Sequence, residues 1–189
     1  NDFDIHSQNE IKMLFERVEK LLLEKFNGVQ DLFYELNLKG FPCLKHLFIV
    51  SNSDICSLIN PIDRKHPEMA FPKLELLDLY KLKKLEEICS FSCELSKPSF
   101  GKLKIIKIKL CSALKNVFRI SLVRFLTSLE TIQVSECSSL KDIVHEEDTT
   151  SQSGSLVFPE LRHLSLRSLV EFVGFDPILL EEDTRILFH

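Results

Sequence analysis

The chain has 189 residues, 44% of them apolar, and a mean hydropathy of +0.04, which is enough for one continuous core and excludes a disordered chain. A formal charge of −4 and a pI near 5.9 leave no basic excess to neutralise phosphates, so nucleic acid is not expected as a partner. No stretch approaches about 18 uninterrupted apolar residues, and Asn1-Asp2-Phe3-Asp4 has neither the basic nor the apolar region of a signal peptide; membrane insertion is not expected, and the chain reads as an internal piece of a longer protein.

In chain order, residues 1–17 read as the tail of a preceding repeat, with Ile11, Leu14, Phe15 and Val18 at helical spacing. From Val18 to residue 175 one frame recurs, apolar at relative positions 0, 3, 5, 8, 11 and 14, with starts at Val18, Leu44, Leu74, Leu103, Leu129 and Leu161. The third copy shows the form: Leu74, Leu77, Leu79, Leu82, Leu85, Ile88. Asn52 is the one polar residue at these positions in all six copies. Three residues before each start stands a lead-in residue, Phe15, Phe41, Phe71, Phe100, Leu126 or Phe158, followed by Pro at Pro42, Pro72 and Pro159. The polar stretches 60–70, 92–99 and 146–155 read as loops leaving the repeats. Leu122, Phe125, Leu126 and Leu129 have helical spacing after Ser121, a residue suited to a helix N-cap. Residues 176–189 read as a C-terminal extension or a truncated next repeat.

A period of 26 to 32 residues between starts is the mark of a solenoid. Within Leu-x-x-Leu-x-Leu the alternation about positions 3 and 5 turns those side chains to one face of a short strand. Positions 8, 11 and 14 step inward as the chain descends. One coil cannot bury its own apolar face, so the coils stack and their strands form a parallel sheet. The expected fold is α/β: a right-handed leucine-rich-repeat solenoid with one short parallel strand per repeat, near 20–24, 46–50, 76–80, 105–109, 131–135 and 163–167, and irregular or short-helix descending segments.

Chemistry-bearing motifs are sparse. Cys111 and Cys137 occupy position 8 of adjacent copies, where a small buried hydrophobe suits a ladder and Asn52 would bond backbone at the turn. Cys89 and Cys93 lack a second Cys or His pair at zinc spacing. His66 reads as a solvated loop residue, and Glu86-Glu87, Glu146-Glu147 and Glu181-Glu182 as solvated faces. With five glycines in the chain, neither a phosphate loop nor a Gly-x-Ser-x-Gly elbow can be assembled. No catalytic, metal or cofactor site is expected. Six cysteines in 189 residues and no Asn-x-Ser/Thr sequon lean towards a reducing cytosol.

Positions 2, 4 and 6 of each frame point away from the core and line the concave sheet face. In a parallel sheet equivalent residues lie about 4.8 Å apart, which gathers Leu22, Phe48, Val50 and Tyr80 into an apolar cluster. The face then turns polar and basic through His46, Asp78, Lys107, Lys109, Gln133, His163 and Arg167. An apolar cluster rimmed by charge suits protein contact, and these eleven residues are the candidate binding set.

Several blocks go beyond the generic frame. Gly28-Val29-Gln30-Asp31-Leu32-Phe33-Tyr34-Glu35-Leu36, Gly40-Phe41-Pro42-Cys43-Leu44-Lys45-His46-Leu47, Phe71-Pro72-Lys73-Leu74-Glu75 and Val134-Ser135-Glu136-Cys137-Ser138-Ser139-Leu140-Lys141-Asp142-Ile143-Val144 resemble the repeat region of plant coiled-coil nucleotide-binding leucine-rich-repeat disease-resistance proteins. The resemblance implies a cytoplasmic regulatory module. Its partners would be the receptor's own nucleotide-binding domain and a pathogen effector or guarded host protein, with ADP and ATP bound only in that other domain. The Asn-x-Leu and Gly-x-Ile-Pro signatures of extracellular plant repeats are missing. A different reading is the substrate-recruiting adapter of an F-box-type ubiquitin ligase, whose repeats favour Cys where Cys111 and Cys137 stand.

Overall fold

Each frame puts five residues, positions 2 to 6, into a strand. The computed structural model describes residues 13–26, 41–59, 70–89, 99–145, 158–173 and the backbone of 185–188. Its main sheet contains β1 (Lys20–Glu24), β2 (His46–Val50), β4 (Leu76–Tyr80), β6 (Ile105–Lys109), β8 (Thr131–Ser135), β10 (His163–Arg167) and β11 (Arg185–Phe188), in that order and parallel throughout. The register joins like positions: Leu21 to Leu47, Leu77, Ile106, Ile132 and Leu164. Six strands lie where the alternation places them. The seventh, β11, lies in 176–189, where the apolar frame is too incomplete to point to it.

Descending segments are more regular than expected. Positions 13 to 15 or 16 form β3 (Ser57–Ile59), β5 (Glu87–Cys89), β7 (Asn116–Arg119) and β9 (Asp142–His145), paired in parallel as β3 with β5 and β7 with β9. In β3, β5 and β7 successive residues are both buried, as with Val117 and Phe118, so these strands lack the two-residue alternation that marks the main sheet. The helix after Ser121 is a single turn, Ile120–Val123, which places Ser121 inside it; the N-cap is Arg119, without a side-chain cap bond. It stops early because Leu126 must open the turn of the next coil, accepting the N–H of Leu129 at 3.3 Å.

Stacking is what buries the frame. From Leu44 to Ile143 every ladder residue of the four central copies is at most 1% exposed. At the first copy, which has a neighbouring coil on one side only among the described residues, Val18 and Leu21 are partly covered and Phe26 is 41% exposed. Phe26 is therefore not the inward ladder residue its position implies. The lead-in phenylalanines form a spine: Phe41 stacks on Phe71 at 5.5 Å between centroids, Phe71 lies 5.3 Å from Phe100, and Phe15 meets Phe41 edge-on at 6.0 Å. Where the lead-in is Leu126, Phe118 from the preceding coil supplies a ring, 5.9 Å from that of Phe158.

The backbone locks this register at both strand ends. Position 1 accepts two N–H groups from the next coil; Lys45 O takes those of Glu75 and Leu76 at 2.8 and 3.0 Å, and the pattern repeats through Arg162 and His163. At the other end position 7 donates to position 6 of the next coil, as Lys81 N–H does to Lys109 O at 2.8 Å. In all six copies position 7 is left-handed with no glycine: Lys25, Ser51, Lys81, Leu110, Glu136 and Ser168 have φ of 51° to 58°. Phe41, Phe71 and Phe100 are left-handed as well. Each costs about 1–2 kcal/mol, offset by the ladder bond and by burial of the side chain that follows the bend.

Asn52 shows how a polar residue enters the ladder. In neighbouring coils the position 11 N–H bonds to the position 8 carbonyl, as from Leu85 to Leu82. In the second coil Asn52 Oδ1 accepts instead, from Asp54 and Ile55 N–H at 2.8 and 2.9 Å, while its amide donates to Phe26 O. The insertion ends are tied as well, since Ser99, fully buried, accepts Ala70 N–H on Oγ at 2.8 Å. The stretch 146–155 and His66 lie outside the described residues.

Position 1 adds a charge pattern: Glu19, Lys45, Glu75, Lys104, Glu130, Arg162. Lys45 reaches Glu19 at 3.0 Å and Lys104 reaches Glu75 at 3.4 Å. Such exposed pairs contribute about 0–1 kcal/mol each, and a slip by one coil would set like charges against each other. Two substitutions test the core against this surface. Phe71→Ala should cost about 3–5 kcal/mol and Ile106→Ala about 2–5 kcal/mol in denaturant unfolding, whereas Lys104→Ala should cost under about 1 kcal/mol. A small loss at Phe71 would remove the spine from the stability account.

Candidate protein-binding face

Positions 2, 4 and 6 fall on the face of the sheet opposite the ladder, and the register sets them in three columns. The middle column runs Leu22, Phe48, Asp78, Lys107, Gln133, Ser165. The columns beside it hold His46 and His163 at position 2, and Val50, Tyr80, Lys109 and Arg167 at position 6. Leu22 is 59% and Tyr80 36% exposed, while Phe48 and Val50 between them are half-buried. The four expected apolar residues thus occupy neighbouring strands β1, β2 and β4. Ser165 is buried although its column faces outward, because its short side chain does not rise above the larger neighbours.

Charge on this face is set by pairing. Asp78 stands directly across from Lys107 in the register. Burial pushes the Asp78 carboxyl above its ordinary value of 3.8, and the Lys107 ammonium pulls against that rise. Lys109 is held by Glu136 at 3.0 Å, so it is less free than its position implies. Arg167, at the end of the same column, is exposed.

Other residues singled out by sequence have structural places. Cys111 Sγ lies 3.7 Å from Lys109 O and Cys137 Sγ 3.4 Å from Ser135 O, both inside the ladder. The Cys111 thiol is pushed well up, first by its hydrogen bond with Cys137 and then by burial, which keeps it protonated and inert. Glu86-Glu87 is not a uniformly solvated face. Glu86 pairs at the surface with Lys115 at 2.9 Å, but Glu87 Oε2 accepts Arg119 Nη2 and Nε at 2.6 and 3.0 Å, and Arg119 is only 8% exposed. Sequence reasoning missed this pair because its members stand 32 residues apart and outside the apolar frame. Among the described residues no three metal-ligating side chains converge, and no helix is long and apolar enough to cross a membrane.

Residues 74–173, just over half of the chain, match the family described as plant disease resistance protein RPS2-like, leucine-rich repeats. The chain belongs to this family. The match covers the third to sixth copies of the frame. No curated protein and no solved structure matches the chain. As a disease-resistance leucine-rich-repeat region it is a protein-interaction scaffold.

The coupling of Asp78 to Lys107 can be measured. With its folded pKa above the unfolded value, Asp78 makes stability fall as pH rises through the window between the two. Lys107→Gln should raise the Asp78 pKa further, seen by carboxyl carbon NMR titration, and extend that fall to higher pH. An unchanged titration would mean that the two groups do not interact.

Proposed function

We propose that this chain is the interaction and regulatory module of a cytoplasmic plant immune receptor, restraining the receptor's nucleotide switch at rest and sensing a pathogen effector or a modified host protein. The observation that carries this reading is the placement of Leu22, Phe48, Val50 and Tyr80 on adjacent strands of an outward face, in a chain of the disease-resistance family. The aromatic and aliphatic groups supply contact area at one end of the face, and Lys107 and Arg167 supply positive charge towards the other. A partner surface that is apolar at its centre and acidic at its edge matches that layout, with charge setting orientation and association rate and the apolar anchors setting affinity.

ADP and ATP belong, in this reading, to the receptor's nucleotide-binding domain, which is the module's resting partner. Its own residues act by contact alone, without catalysis or a cofactor. The free thiols of Cys43, Cys56, Cys89, Cys111 and Cys137 suit a reducing compartment.

Binding of the receptor's nucleotide-binding domain, added in trans and followed by biolayer interferometry, tests the assignment. Phe48→Ala and Tyr80→Ala should each weaken the complex by more than about 1 kcal/mol, with the thermal midpoint of the Tyr80 variant kept. Lys107→Glu should mainly slow association at low salt. Normal binding by all three variants, together with loss on deletion of residues 146–155, would move the interaction from the concave face to that insertion.

A further inference from the structure

The bends that follow β1, β2 and β4 border an open cleft of about 360 Å³ lined by Lys25, Ser51, Asn52, Ser53, Lys81 and Lys83. Lys25, Ser51 and Lys81 are position 7 of three successive coils; Ser53 and Lys83 are position 9 of two. Three lysine side chains therefore line one concavity at the carboxyl ends of the strands, next to the position 6 column of the concave face.

Several lysines of the chain are balanced by carboxylates, and those at this cleft are not. Lys45, Lys84, Lys104, Lys109 and Lys115 each sit within 4 Å of a carboxylate. Among the described residues Lys25, Lys81 and Lys83 have no such partner. Of the acids nearest in sequence, Asp54 is engaged by Lys84 at 3.7 Å and accepts the Ser53 hydroxyl at 3.4 Å, and Glu24 belongs to the position 6 column of the concave face. The floor of the cleft is rigid. Asn52 is 1% exposed and bonded on both ends of its amide, and Lys25, Ser51 and Lys81 are fixed in left-handed bends by bonds to the next strand.

We propose that this cleft binds a compact, soluble anion bearing two or more phosphate groups. Lysine is a phosphate binder as a point charge. Three of them around one concavity call for a ligand with several negative charges, because a single carboxylate leaves most of the positive charge uncompensated. Position 7 residues two coils apart are separated by about 9.6 Å, twice the strand spacing, a span that linked phosphates bridge better than one. The volume falls in the range of small-ligand clefts. The site lies outside the face used in the proposed function and does not depend on that reading.

Isothermal titration of the chain with inorganic tripolyphosphate tests it. Saturable binding that weakens as salt rises is expected. Lys81→Gln combined with Lys83→Gln should weaken it about tenfold, the loss of one or two charge-assisted hydrogen bonds, and Lys25→Gln should weaken it in the same direction. The three lysines are exposed, so the variants should keep the parent thermal midpoint. Lys107→Gln, on the concave face, should leave binding unchanged. Absence of saturable binding, equal loss with Lys107→Gln, or orthophosphate competing as well as tripolyphosphate would overturn the proposal. So would binding confined to vesicles of phosphatidylcholine with one fifth phosphatidylserine.

Discussion

Everything in this chain depends on one constraint: a coil of 26 to 32 residues cannot bury its own apolar residues and must use its neighbours to do so. The ladder residues of the central copies are almost fully excluded from water, whereas Val18, Leu21 and Phe26 of the first copy, which has a neighbouring coil on one side only among the described residues, are not. Burial of each Leu or Ile contributes roughly 1.5–3 kcal/mol, and only the stacked arrangement realises it. The phenylalanine spine serves the same end, because its rings lie across the coil boundary and each is buried by the next.

Stacking sets the rest of the geometry. Matching equivalent positions in register puts every outward side chain into a column, so a surface emerges that no single repeat contains. Val50 beside Tyr80, Asp78 against Lys107, and Lys25 near Lys81 are consequences of that register. The alternating charges of position 1 and the doubled hydrogen bonds to its carbonyl favour this register over a shifted one. Recognition surfaces can then vary from copy to copy, since positions 2, 4 and 6 take no part in the ladder.

Much of this was legible in the chain itself, and the reason is periodicity. The strands of the first six copies follow from the two-residue alternation around positions 3 and 5, and the concave columns follow from the strands. Asn52 was readable as a turn residue because an amide can bond the backbone that an apolar ladder leaves open. The left-handed bends at position 7 were not, since Lys25, Ser51, Lys81, Leu110, Glu136 and Ser168 share no residue type and none is glycine. The conformation is imposed by the bond to the next coil. The short strands β3, β5 and β7 were hidden because both faces are covered there, which erases the alternation. The pairing of buried Arg119 with Glu87 and the cleft between Lys25 and Lys83 depend on contacts between coils, which no local pattern announces.

Native-state amide hydrogen exchange tests the stacking account most directly, because it reads the stability of each coil separately. The central strands β4, β6 and β8 should exchange slowest and β1 distinctly faster. Phe71→Ala should lower protection in β4 and, to a lesser degree, in β2 and β6 on either side. Protection in β1 equal to that in β6, or a loss confined to β4 with its neighbours unchanged, would show that the coils do not derive their stability from one another.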